Sequence, residues 1–169
     1  MSGAGADAPD AGPSALQLLV PGAAPLLDAV RALPGAALLA PPHVSLGDPW
    51  RGAEQAESSL EEVRAAAAAV PAVAAELTGP YAFAPDSRGR VLVHARLSPA
   101  EPVRELARAL GADLRDVHLS IARVLPEGSP DAAADAVAPL LPLLVRVEHL
   151  ELTVQRSGRW SRALLAPLA

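Results

Sequence analysis

The sequence predicts an α+β protein built from two similar lobes that face a central groove. Segments with the alternation of β-strands are interleaved with segments that have helical spacing. Two of the predicted strands carry the same His-x-Ser-aliphatic tetrad, at residues 43–46 and 118–121. Each tetrad follows a related stretch, residues 31–36 in one half and 108–112 in the other, in which a predicted helix ends at Gly. We therefore expect each lobe to contribute one tetrad to the groove.

The individual elements follow from apolar periodicity and from Pro and Gly breaks. Strands are predicted at Leu16–Val20, at the two tetrads, and at Pro71–Thr78, Val91–Leu97, Val145–Val154 and Arg159–Leu165. Helices are predicted at Pro25–Leu33, Ser58–Val70, Pro102–Leu110 and Ala132–Leu141. Ser58 and Glu61 fit a capping box. Turns at Asp86–Gly89 and Ser157-Gly158 each predict a hairpin.

Length and composition limit the classes of protein that fit. The chain has 169 residues, of which 51% are hydrophobic, so one domain with a substantial core is expected at residues 15–169 after a flexible tail at 1–14. A net charge of −5 argues against extended nonspecific binding to the nucleic-acid backbone, which needs many phosphate contacts. The sequence has no cysteine, and its start resembles no signal peptide. No long apolar run is present either. We expect a monomer in the cytoplasm, without membrane contact.

The tetrads suggest proton-transfer chemistry. Side chains alternate along a strand, so His43 and Ser45 share one face, as do His118 and Ser120. If the strands meet, the site combines two imidazoles with two hydroxyls. One imidazole can then act as a base and the other as an acid near neutral pH, since the ordinary imidazole pKa is about 6.5.

Two other kinds of site fit the sequence poorly. Acidic residues do not cluster near the tetrads, and no His-Glu-x-x-His motif is present, so we expect neither a metal nor another cofactor. Neither serine lies in the Gly-x-Ser-x-Gly elbow of a serine hydrolase. The residues alone therefore favour acid–base chemistry at an anionic centre.

At these residues the sequence resembles the two-histidine (2H) phosphoesterase superfamily, which includes the 2′-5′ RNA ligases, also called RNA 2′,3′-cyclic phosphodiesterases. The resemblance rests on Pro42-His43-Val44-Ser45-Leu46 and on His118-Leu119-Ser120-Ile121-Ala122-Arg123, and it extends over roughly residues 15–168. It implies a bilobal fold of two antiparallel-sheet lobes with outer helices around a cleft. It also implies metal-independent opening of a 2′,3′-cyclic phosphate, with weak 2′-5′ ligation in some members.

Roles for site residues follow from this resemblance. His43 and His118 are expected to be catalytic, and Ser45, Ser120 and Arg123 to bind the phosphate. Trp50 is a candidate for stacking on a base. From the strand pattern alone, His94 can face the groove, and Tyr81 and Phe83 either line the cleft or fill the core. Pro49-Trp50 stands where the family usually has Pro-Phe, and both hydroxyls are Ser where Thr is commoner.

The resulting hypothesis is a phosphoric diester hydrolase that opens the cyclic phosphate of a nucleotide or of an RNA 3′-end. Two alternatives stay open. The first is a non-catalytic module that binds nucleotides or RNA ends on the same fold. The second is a 2H enzyme that acts on a small phosphoester unrelated to RNA. The sequence does not show which histidine is the base.

Overall fold

Alternating apolar residues and helical stripes form the elements of the structure, a computed structural model that describes residues 11–169. The strands in this range are β1 (Ala11–Leu19), β2 (Ala36–Leu38), β3 (His43–Gly47), β4 (Val73–Ala82), β5 (Val91–Ser98), β6 (His118–Val124), β7 (Leu143–Val147), β8 (His149–Arg156) and β9 (Arg159–Pro167). The helices are α1 (Ala24–Val30), α2 (Ala53–Ser58), α3 (Leu60–Ala68), α4 (Glu101–Ala109) and α5 (Pro130–Val137), with 3-10 turns at Pro21–Ala23 and Ala138–Leu140.

The strands form one antiparallel sheet with four strands on each side of its centre. The order is β7-β4-β5-β6-β3-β1-β8-β9, and the short β2 also pairs with β6. The tetrad strands β3 and β6 are therefore neighbours at the centre, where Val44 lies opposite Leu119. This central pairing joins a half made by β4–β7 to a half made by β1, β3, β8 and β9. The predicted α+β fold of two similar antiparallel lobes is confirmed.

The hydrophobic core lies between one face of the sheet and the helices. Val44 and Leu119 are fully buried, and they belong to the same cluster as Leu26 of α1, Val63 of α3 and Leu106 of α4. Burying a side chain of this size stabilises the fold by roughly 1.5–3 kcal/mol. The helices thus cover one face of the central strands, and the other face keeps the side chains that alternate with Val44 and Leu119. Within the described residues, no helix has the length and apolar character needed to cross a bilayer.

Most predicted strands and helices are confirmed, with changed ends. The predicted tail at residues 1–14 is wrong at its end, because β1 begins at Ala11 and Ser14 pairs with Val154 of β8. A register shift between Ala11 and Ser14 accommodates Gly12-Pro13 in this pairing. The remainder of that tail lies outside the described residues. Similarly, β4 continues through Gly79-Pro80, because the strand has an irregularity between Thr78 and Tyr81.

Two predictions near helices and strands are wrong. The capping box does not form: the Ser58 hydroxyl donates to the Glu54 carbonyl oxygen at 2.7 Å, and α3 begins at Leu60. The predicted strand Val145–Val154 is two strands, because the chain crosses at Glu148 from β7 in one half to β8 in the other. Val145 and Val147 are buried in β7, whereas Leu150, Leu152 and Val154 are buried in β8, so the alternation shifts by one residue at the crossing.

Candidate active site

The two tetrads meet on the open face of the central strands. Opposite residues of an antiparallel pair project to the same side of the sheet. Because Val44 and Leu119 are opposite each other and both point into the core, the residues that flank them project together to the other side. Four partly buried motif side chains occupy this face: His43, Ser45, His118 and Ser120. The structure thus brings together the predicted pair of imidazoles and pair of hydroxyls.

The same irregularity occurs in both central strands, three residues after the motif histidine. Leu46 is an extra residue in the pairing of β3 with β1, and Ile121 is an extra residue in the pairing of β6 with β5. A bulge of this kind changes which side chains face each side of a strand. Beyond the bulge of β6, Arg123 lies opposite Leu92 and turns to the tetrad face, where its side chain is exposed. The matching position in the other half is Asp48, which also lines the groove.

A backbone contact fixes the ring of His43. Its Nδ1 lies 2.6 Å from the carbonyl oxygen of Pro41. Because a carbonyl oxygen can only accept a hydrogen bond, Nδ1 carries the proton and donates it to Pro41. Nε2 is therefore the ring atom that His43 has available for a substrate.

The His118 ring lies deeper than that of His43. Burial lowers the pKa of His118 below its ordinary value, while the backbone carbonyl and the carboxylate of Asp116 act in the opposite direction. Nδ1 of His118 is buried and does not reach hydrogen-bond geometry with any described residue. Burial is the largest of these effects, so the neutral form of the ring is favoured at neutral pH.

Three predicted cleft residues lie on the His118 side of the site. The ring of His94 lies edge-on to that of His118, with centroids 4.9 Å apart, and stacks on Phe83 at 4.1 Å. Phe83 also meets His118 edge-on at 5.1 Å, and Tyr81 lies 5.8 Å from His94. His94 is only 3% exposed, and burial, followed by the charge of a protonated His118, lowers its pKa. This half of the site is therefore aromatic, with Arg96 placed over the Tyr81 ring at 4.4 Å.

The half of the groove beside His43 is polar at its floor. It encloses about 460 Å³, and its lining includes Gln17, Glu151, Trp160 and Arg162. Glu151 is 4% exposed and accepts hydrogen bonds from Arg162 Nε, at 2.5 Å, and from Gln17 Nε2. A buried carboxylate is thus satisfied by two donors that themselves border the groove.

The sequence matches a protein-family model over most of its length. This model, of the 2′-5′ RNA ligase superfamily, matches residues 19–159. The chain belongs to this superfamily. Among curated protein sequences, none matches the chain. The resemblance of the two tetrads to 2H phosphoesterases is therefore confirmed at the level of the superfamily.

Solved structures of this superfamily's fold are similar over nearly the whole chain. Usb1 of Kluyveromyces marxianus has a TM-score of 0.60 at 16% identity, over 94% of this chain and 99% of that one. E. coli LigT complexed with ATP gives 0.61 at 12% identity, over 94% and 98%. TT0787 of Thermus thermophilus gives 0.57 at 17% identity, over 92% and 97%. Usb1 has also been solved with uridine monophosphate, and LigT with phosphate and with 3′-AMP.

Trp50 is a predicted cleft residue whose side chain packs on the core instead. Its indole Nε1 donates to the carbonyl oxygen of Leu110 at 2.9 Å, and its ring packs against the hydrophobic core. The Arg51 guanidinium covers the ring at 4.1 Å. This position contradicts the predicted base contact, because the ring is occupied by packing on the core.

The groove also contains Glu151, Trp160 and Arg162. Glu151 lies on the polar face of β8, for which the sequence favours an exposed surface, and the arginines around Trp160 suggest either an exposed hairpin or a nucleotide-binding patch. The signal that identifies them is strand order: β8 and β9 continue the tetrad face beyond β1. Within residues 11–169, no three His, Cys, Asp or Glu side chains come together as a possible metal-ligand set.

Proposed function

We propose that this protein is a phosphodiesterase that opens the 2′,3′-cyclic phosphate of a nucleotide or an RNA 3′-end, with His43 and His118 as the acid–base pair. The observation that carries the proposal is the shared face of the two tetrads, set by Val44 opposite Leu119. Membership of the 2′-5′ RNA ligase superfamily supports it, as do the nucleotide complexes of Usb1 and LigT.

In the proposed reaction a water oxygen bonds to phosphorus and the bond from phosphorus to one ribose oxygen breaks. His118 is the better candidate for the base, because burial favours its neutral form, which can take a proton from the water. His43 would donate a proton from Nε2 to the departing ribose oxygen, with its ring held through Nδ1 by Pro41. Acid–base catalysis of this kind contributes roughly 10²–10⁴-fold to a rate.

The phosphate oxygens need donors while charge accumulates on them. Ser45 and Ser120 lie on the same face as the imidazoles and can each donate one hydrogen bond. Arg123, turned to this face by the bulge of β6, can add a planar cationic donor. Donors that are already oriented stabilise the transition state without reorganisation.

The test is the turnover of nucleoside 2′,3′-cyclic phosphates by His43→Ala and His118→Ala, measured in the presence of a chelator. We expect each variant to lose about 10²-fold or more in kcat. His149→Ala is the matched control, since this histidine begins β8 and lies outside the tetrads. Wild-type turnover in either tetrad variant would remove the proposed mechanism. Nucleotide binding without turnover in the wild-type protein would favour the non-catalytic module.

A further inference from the structure

A second, smaller pocket opens beside His118. It encloses about 230 Å³ between the end of β5, the start of α4 and the start of β6. Because β5 and β3 flank β6 on opposite sides, this pocket lies on the side of His118 away from His43. Its volume is below the roughly 300–1,000 Å³ of pockets that take a whole drug-sized ligand, so it suits a small group. His118 and His94 both line it, so the pocket adjoins the candidate active site.

Two arginines give this pocket its charge. Arg96 lies opposite His118 in the pairing of β5 with β6, so the two side chains project to the same side of the sheet. Arg104 reaches the pocket from α4. Among the described residues that line the pocket, Asp116 is the only carboxylate, so the two guanidiniums exceed it by one positive charge. Burial lowers the pKa of His94 and of His118, so the arginines carry this charge at neutral pH.

Contacts with the protein orient both guanidiniums and leave donors available. That of Arg96 lies over the Tyr81 ring at 4.4 Å and makes no hydrogen bond or ion pair within residues 11–169. Nη2 of Arg104 donates to the carbonyl oxygen of Arg115 at 3.3 Å, just before β6, and Nη1 lies 3.7 Å from Glu101, which is beyond hydrogen-bond distance. Both arginines therefore keep N–H donors for an anion, and the planar guanidinium matches the oxygens of a phosphate group.

The charges on the other side of His43 have the opposite balance. There the positive charge of Arg162 is met by the buried carboxylate of Glu151, and Asp48 adds a second carboxylate to the lining. A second phosphate on the substrate would be repelled on that side and attracted beside His118. The charge distribution thus favours one of the two directions that lead away from the histidines.

We infer that the pocket between Arg96 and Arg104 binds a second phosphate of the substrate, on the 5′-oxygen of the nucleoside that carries the cyclic phosphate. The inference rests on the proposed function, which puts the reacting phosphorus between His43 and His118. It makes the preferred substrate class a 5′-phosphorylated nucleoside 2′,3′-cyclic phosphate. The 5′-phosphate is either the monoester of a mononucleotide or the internucleotide diester of an RNA 3′-end, since both present non-bridging oxygens at this position.

Calorimetry with ligands that have no cyclic phosphate tests the inference. Adenosine 3′-phosphate and adenosine 3′,5′-bisphosphate differ only in the 5′-phosphate, and we expect the bisphosphate to bind about 10-fold or more tightly. Arg104→Ala and Arg96→Gln, on separate elements, should each weaken bisphosphate binding by about 10-fold, as for the loss of a charge-assisted hydrogen bond, and leave the monophosphate unchanged. The dinucleotide UpAp carries the same 5′-phosphate as a diester. Tighter binding of UpAp than of the bisphosphate assigns the pocket to an RNA end, and weaker binding assigns it to a mononucleotide.

Arg88→Ala is the matched control. It removes the same charge from an exposed arginine in the turn between β4 and β5, outside the pocket, and should leave the ratio of the two adenosine affinities unchanged. Equal affinities of the wild-type protein for the two adenosine ligands would overturn the inference, as would equal loss of both ligands in Arg104→Ala. The binding measurement needs no turnover. Absence of hydrolysis therefore counts against the proposed function alone, and absence of a 5′-phosphate effect counts against the pocket alone.

Discussion

Leu119→Ala tests whether the central strand pair positions the two tetrads. Leu119 is fully buried opposite Val44, between His118 and Ser120. The substitution removes three carbon atoms, which lose about 2.4 kcal/mol at about 0.8 kcal/mol each. The cavity left behind brings the total loss to about 3–5 kcal/mol. A displacement of His118 by about 1 Å costs roughly 10²-fold in rate, so we expect kcat to fall by that order.

Leu77→Ala is the matched control for this substitution. Leu77 is also fully buried, but it lies on β4 and pairs with Leu97 of β5 and Leu143 of β7. Urea unfolding should give a similar loss of stability for both variants, whereas turnover of a 2′,3′-cyclic phosphate should fall only for Leu119→Ala. Equal turnover in two folded variants of equal stability would refute the idea that the Val44–Leu119 pair aligns the site.

Two other predictions concern stability. Burial lowers the pKa of His94 and of His118 in the folded protein. Below a pH of about 6.5 the unfolded chain therefore binds more protons than the folded chain, and the free energy of unfolding should fall as the pH drops. His94→Phe should make that fall shallower in urea unfolding at several pH values, and an unchanged slope would contradict the reasoning. Ser129→Ala should cost about 1 kcal/mol, because the Ser129 hydroxyl accepts from the first turn of α5, whereas Ser58→Ala should cost less in thermal unfolding. Equal losses for the two serines would contradict the assigned cap.

The centre of the fold could be predicted from the sequence because its signals are local. Alternation alone assigns His43 and Ser45 to one face and Val44 to the other, whatever the rest of the chain does. The repeated tetrad then pairs the two strands. The burial of Val44 and Leu119 and the partial exposure of His43 follow from that pattern.

The flanks of the site could not be predicted, because they depend on strand order and register. Glu151 and Arg162 line the groove only because β8 and β9 extend the sheet beyond β1. Ala163 is an extra residue of β9 in its pairing with β8, and this bulge turns Trp160 toward the groove. The sequence pattern of apolar residues does not reveal it. Trp50 shows the opposite error: its position next to the first tetrad suggested a ligand contact, but tertiary packing uses its ring. The monomeric state and the cytoplasmic location stay predictions.

The mirrored bulges at Leu46 and Ile121 give the two ends of the site unlike chemistry on matching backbones. Arg123 projects at one end, and Asp48 occupies the equivalent position at the other. A molecule with one anionic end and one neutral end would therefore bind more tightly in one orientation along the sheet than in the reverse orientation. In the proposed reaction, this polarity would assign the departing oxygen to the same imidazole in every cycle, so His43 and His118 would keep distinct roles although they occupy matching positions in their strands.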